Sequence, residues 1–107
     1  MIVHVVLYEM RPELDDAERD RLQRAVLGTF ERVPSLRRWM VGRRTMLGVT
    51  YEALMAPGFG YAAVLEFDDL NALRSYLEHP AHAELSALFW SCSARTLVFD
   101  YEIIARA

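Results

Sequence analysis

Two histidines and one tyrosine stand out as side chains able to move protons. His82 follows Pro80 by two residues and precedes Leu85 and Phe89 by three and seven, which places it in the first turn of a helix, on the edge of its apolar stripe. The positive end of the helix dipole at that position disfavours imidazolium. A neutral, partly buried imidazole is a competent general base near neutral pH, while the plain structural alternative is a core or capping histidine. Tyr76 lies three residues after Leu73 and beside Leu77, so its ring is expected to pack inward and its hydroxyl to need a partner. That hydroxyl could hydrogen-bond a substrate carbonyl and stabilise the enolate formed when a neighbouring carbon loses a proton, although simple core packing also accounts for it. His4 interrupts an otherwise apolar strand, and Glu66 lies on a strand expected to pair beside it. A His4–Glu66 contact would orient the imidazole or hold a divalent cation. Two ligands of mixed type make a weak metal signal, and no metal or other cofactor is expected. His79, next to Pro80, fits a helix junction better than a catalyst.

Around these groups, Tyr8, Trp39, Phe67, Phe89 and Trp90 form a candidate aromatic lining for a flat, hydrophobic small molecule. Taken singly, each could equally be core. No phosphate-cradling glycine motif precedes a helix, which turns the expectation away from nucleotides.

Those side chains need elements to hold them. Ile2 to Glu9 is apolar at both even and odd positions, as in a strand covered on both faces. Asp15 with Glu18 resembles a capping box, and the helix it opens carries Leu22, Ala25, Val26, Thr29, Phe30 and Val33 on one stripe until Pro34 closes it. A second strand is expected over about Leu36 to Arg44, where Trp39, Met40 and Val41 sit among Arg37, Arg38, Arg43 and Arg44. Those arginines read either as the charges of an edge strand or as an attraction for an anionic substrate tail. Thr45 to Gly60 has no period and reads as a long loop, mobile or acting as a lid. Tyr61 to Phe67 is a strand, and Asp68 and Asp69 can cap the helix of Leu70, Leu73 and Leu77. Pro80 ends that helix and starts another, running to about Trp90 with Ala81, Leu85, Leu88, Phe89 and Cys92 inward. Arg95 to Ile104 alternates as a last strand.

The order strand–helix–strand, then strand–helices–strand, predicts an α+β, ferredoxin-like subunit: a four-stranded antiparallel sheet with its helices on one face. The bare apolar face of such a sheet is unfavourable in water at roughly 25 cal/mol per Å². A homodimer stacking two sheets face to face would bury it.

The run LEFDDLNALRSYLEHPAH, with MIVHVVLY at the start and VFDYE near the end, resembles the stress-responsive α/β barrel (Dabb) family of dimeric α+β barrels. The resemblance implies that fold and that dimer. It also implies polyketide-cyclase chemistry of the olivetolic acid cyclase type, in which a Tyr and a His matching Tyr76 and His82 promote an intramolecular aldol condensation of a linear poly-β-ketone thioester. His4 matches a histidine near the start of those cyclases, and Ala63 stands where some of them carry a further histidine. Three functions follow as alternatives: a cofactor-free cyclase or lyase acting on an enolisable carbonyl compound, a non-catalytic dimer binding a small hydrophobic molecule in a stress response, and an oxygenase of the metal-free or haem-degrading kind found on related barrels.

Composition sets the outer bounds. A chain of 107 residues is expected to build one domain over 1–107. With 53% hydrophobic and 25% charged residues it folds as a globular protein, and a net charge of −3 argues against a nucleic-acid binder. The lone Cys92 has no partner for an internal disulfide. Ile2 to Tyr8 is broken by His4 and follows no basic region, unlike a signal peptide, and no apolar run approaches a membrane span. The cytoplasm is therefore the expected compartment.

Overall fold

Eight elements follow one another along the chain in the computed structural model, which describes all residues 1–107. They are β1 (Ile2–Met10), α1 (Asp16–Arg32), β2 (Arg38–Arg43), α2 (Thr50–Leu54), β3 (Tyr61–Phe67), α3 (Leu70–Glu78), α4 (Pro80–Cys92) and β4 (Ser93–Glu102). The four strands form one antiparallel sheet in the order β2-β3-β1-β4, as the expected ferredoxin-like topology requires.

Local chemistry accounts for the helix starts. Asp15 caps α1 through a full capping box: its Oδ1 accepts from the Glu18 amide at 2.8 Å, and the Glu18 carboxylate accepts from the Asp15 amide at 3.1 Å. Asp69 caps α3 by accepting from the Ala72 amide at 2.8 Å. At the junction, His79 Nδ1 accepts from the Ala81 amide at 3.0 Å, so this histidine caps α4 with its own ring while Pro80 fills the first helical position.

Three boundaries differ from the pattern in the sequence. β2 starts at Arg38 and not Leu36, because the Leu36 amide closes a turn onto the Val33 carbonyl. α4 continues to Cys92 and β4 starts at once with Ser93. The 45–60 segment contains the short helix α2, held by Glu52, whose carboxylate accepts from the amides of Leu47, Gly48 and Val49 at 2.7, 2.7 and 3.0 Å. Those hydrogen bonds, the Leu47 one foremost, hold its carboxyl below the usual range. Gly48 takes φ +76° there, a left-handed conformation that suits glycine.

The two faces of the sheet differ. Strand register puts His4 opposite Leu65 and Asp100, and Val3 opposite Glu66 and Tyr101, and opposite residues share a face. The even positions of β1, with Ala63, Leu65, Phe67, Trp39 and Val41, lie under the helices. There they meet Leu22, Val26 and Phe30 of α1, Leu73 and Tyr76 of α3, and Ala81 and Leu85 of α4. The odd positions of β1 face away from the helices with Met40, Val64, Leu97, Phe99 and Tyr101. Met40 is 63% exposed, Phe99 48% and Tyr101 54%. A large apolar surface therefore has no cover within the chain.

Candidate active site

A cavity of about 220 Å³ lies between the helix-covered side of the sheet and α1, α3 and α4. β1 contributes His4, Val6 and Tyr8, β3 contributes Ala63, and β4 contributes Val98. Val26 and Phe30 come from α1, Tyr76 and Leu77 from α3, and His82, Leu85, Ser86, Phe89 and Trp90 from α4. Leu77, Trp90 and Val98 are also solvent-exposed and mark its mouth. No lysine or arginine lines it, so it suits a neutral, largely apolar molecule.

Its polar groups cluster around Tyr76. The Tyr76 and His82 rings meet edge to face with centroids 4.7 Å apart, and the His4 ring lies on the tyrosine at 5.9 Å. The Tyr76 hydroxyl has no hydrogen-bond partner in the chain. Burial pushes its pKa far above the ordinary phenol value, so it is a proton donor that holds its proton. Tyr8 behaves differently, because its hydroxyl donates to Gln23 Oε1 at 2.9 Å. Its pKa is raised to about 12, chiefly by burial, and its one polar atom is already committed.

The His82 pKa is lowered, first by loss of solvent and second by the neighbouring His4; the Leu77 backbone carbonyl partly opposes this. The cavity thus favours the neutral form of His82. His4, 5% exposed, is anchored by Asp100: Nδ1 to Oδ1 is 2.5 Å. If that nitrogen carries the ring proton, Nε2 is left with its lone pair.

The expected His4–Glu66 contact does not form. Glu66 is opposite Val3, on the face away from the helices, where it pairs with Arg38 at 3.6 Å. Glu66 is therefore not a lining residue, and the carboxylate beside His4 is Asp100. Phe67 and Trp39 are on the helix-covered face but outside the cavity. Phe67 is fully buried against Tyr76 at 5.4 Å, and Trp39 packs on Phe30 at 5.6 Å, so both support the wall from behind. Tyr8, Phe89 and Trp90 do line the cavity. None of the four arginines reaches it. Arg37 pairs with Asp68 at 3.2 Å, and Arg43 and Arg44 line a groove under the 45–60 segment on the bare side. No group of three or more His, Cys, Asp or Glu side chains is placed to hold a metal ion.

The family model described as the stress responsive A/B barrel domain (Dabb) matches residues 2–103. The chain belongs to this family. Among individual proteins, this A/B barrel domain is 18% identical to olivetolic acid cyclase of Cannabis sativa over 100 residues, 94% of each chain. Its fold superposes on hydroxynitrile lyase from Passiflora edulis with a TM-score of 0.84 at 18% identity, covering 99% of this chain and 95% of that one. A dimeric ferredoxin-like protein from Thermobifida fusca gives a TM-score of 0.76 at 20% identity over 95% and 90% of the two chains. At such identities the structural likenesses establish the fold of the A/B barrel domain and leave its reaction to be argued from the cavity.

Asp100 and Ser86 are the polar groups that sequence reasoning passed over. Asp100 is 96 residues from His4, and only the pairing of β1 with β4 brings them together. Ser86 had a signal of its own: it is four residues after His82, on the same helix face.

Proposed function

We propose that this A/B barrel domain is a small-molecule enzyme of the cyclase or lyase kind, acting on an enolisable, polyketide-like carbonyl compound with an apolar flank. The observation that carries the reading is the pair at the centre of the cavity: a neutral imidazole, His82, against a phenol, Tyr76, whose hydroxyl is unbonded in the chain and held protonated. A carbonyl oxygen placed at the Tyr76 hydroxyl sets its α-carbon beside His82. His82 nitrogen takes the α-proton, the C–H electron pair moves toward the carbonyl, and Tyr76 hydrogen-bonds the oxygen as negative charge develops on it. The enolate carbon then attacks a second carbonyl of the same chain, closing a ring as that carbonyl's π pair moves to its oxygen, and the resulting alkoxide takes the proton back from His82. His4, held by Asp100, keeps its ring fixed against Tyr76. This chemistry needs only the chain's own groups.

The functional unit in this reading is a homodimer. The bare face with Val5, Met40, Leu97, Phe99 and Tyr101 is continuous across the sheet, and a second copy of the same face covers it. The dimeric Thermobifida protein with the same fold supports this arrangement.

The test is solvent-deuterium exchange at the α-carbon of 1-phenylbutan-1-one, a neutral ketone with an apolar flank, followed by proton NMR. Exchange above the buffer background is expected for the native protein. His82→Ala should lower it by about a hundredfold or more, and Tyr76→Phe less, while both bind the ketone. A native rate equal to the buffer rate would leave a ligand-binding barrel without this chemistry.

A further inference from the structure

We propose that Ser86 is a second oxygen-binding group of the cavity, so that the site selects β-dicarbonyl compounds over monocarbonyl ones; this rests on the carbonyl reading above. A serine inside a helix ordinarily returns its hydroxyl to a carbonyl one turn earlier. Ser91, on the same helix, donates to the Leu88 carbonyl at 2.7 Å. Ser86 makes no such bond, and it lines the cavity beside Leu85, Phe89 and other apolar side chains. An unpartnered hydroxyl on an apolar wall is unfavourable until a ligand or water satisfies it.

The other polar groups of the cavity are committed or have a role. Tyr8 is bonded to Gln23, His4 is bonded to Asp100, and Tyr76 with His82 forms the reacting pair. Ser86 follows His82 by four residues, which sets the two side chains on one helix face with about 5–6 Å between their β-carbons. A ligand whose carbonyl meets Tyr76 and whose acidic carbon faces His82 therefore has room for a second oxygen one turn further along α4. In a β-dicarbonyl compound the acidic carbon stands between two carbonyls, so the sequence of groups Tyr76, His82, Ser86 repeats the sequence oxygen, carbon, oxygen. The second carbonyl also makes that carbon more acidic, which matches a base whose proton affinity the cavity has reduced.

The experiment compares two neutral ligands that differ by one oxygen, 1-phenylbutane-1,3-dione and 1-phenylbutan-1-one, by isothermal titration calorimetry on the native protein and on Ser86→Ala, Ser86→Thr and Tyr76→Phe. The native protein is expected to bind the dione more tightly. Ser86→Ala should weaken the dione about three- to tenfold and leave the monoketone within twofold, Ser86→Thr should retain the preference, and Tyr76→Phe should weaken both. Equal affinity of the native protein for the two ligands, or an equal effect of Ser86→Ala on both, overturns the role of Ser86 and leaves the carbonyl reading standing. Failure of the native protein to bind either ligand overturns both.

Discussion

The two faces of this sheet are built from the same strands and do different work. On β1, Ile2, His4, Val6 and Tyr8 point under the helices, while Val3, Val5 and Leu7 point away from them. The covered face encloses a small cavity with two imidazoles and two phenols; the bare face is a broad apolar surface rimmed by Arg38 and Glu66. A shift of one residue in register would exchange these roles, putting His4 on the apolar surface and a valine against Tyr76. On the covered face, burial shifts the protonation of Tyr8, Tyr76 and His82. The apolar side chains of the bare face ask only for cover.

The sharpest way to break the comparison is to spoil the bare face alone. Phe99→Asp combined with Val5→Asp places two carboxylates on adjacent strands in the proposed contact, and native mass spectrometry should then record the subunit mass in place of the dimer mass. A dimer that survives both changes uses another surface. Next in size is His82→Ala, expected to lower α-proton exchange by about two orders of magnitude or more without changing the subunit count.

A change of pH sharpens the same contrast. The folded-state pKa of His82 lies below the ordinary imidazole value, so exchange should rise with pH through that lowered value and stay level above it. His4→Gln removes one of the two causes of the lowering, and the acid limb should move up toward the ordinary value. Linkage adds a stability effect of the same sign: a group with a depressed folded pKa contributes stability above its unfolded pKa and loses it as pH falls through the folded one. Urea midpoints should therefore fall between those two values for the native protein and fall less for His82→Gln.

Asp100→Asn should have a smaller effect, about three- to tenfold on exchange, because the carboxylate acts through His4 and is itself 45% exposed. Glu66→Gln, on the bare face, should change exchange by less than about twofold.

How much of this was legible in the sequence depends on the range of the interaction involved. The Asp15–Glu18 capping box, the Asp69 cap and the Pro80 helix start are chain-local and could be seen in the residues themselves. So could the placing of Tyr76 and His82 on inward helix faces, since period alone sets it. Glu66 was misassigned although its own strand held the answer: it alternates with Leu65 and Phe67, which are buried, so it had to face the other way. Asp100 required the register of β4 on β1, a pairing across nearly the whole chain that no local pattern encodes. That Trp39 and Phe67 lie behind the cavity wall and not in it was not legible, because alternation gives a side and says nothing of how far α1 and α3 fill the space above it. Helix α2 escaped because five residues are too few for a helical period and the amides just before it, of Leu47, Gly48 and Val49, are gathered by Glu52 from inside the helix, with no capping Ser, Thr or Asp ahead of it.

The most direct measurement is α-proton exchange from 1-phenylbutan-1-one in deuterated buffer, run side by side on the native protein, His82→Ala and Glu66→Gln. Chemistry seated on the covered face requires exchange to fall to the buffer rate in His82→Ala and to persist in Glu66→Gln. Exchange that survives loss of His82, or that disappears with Glu66, would contradict it.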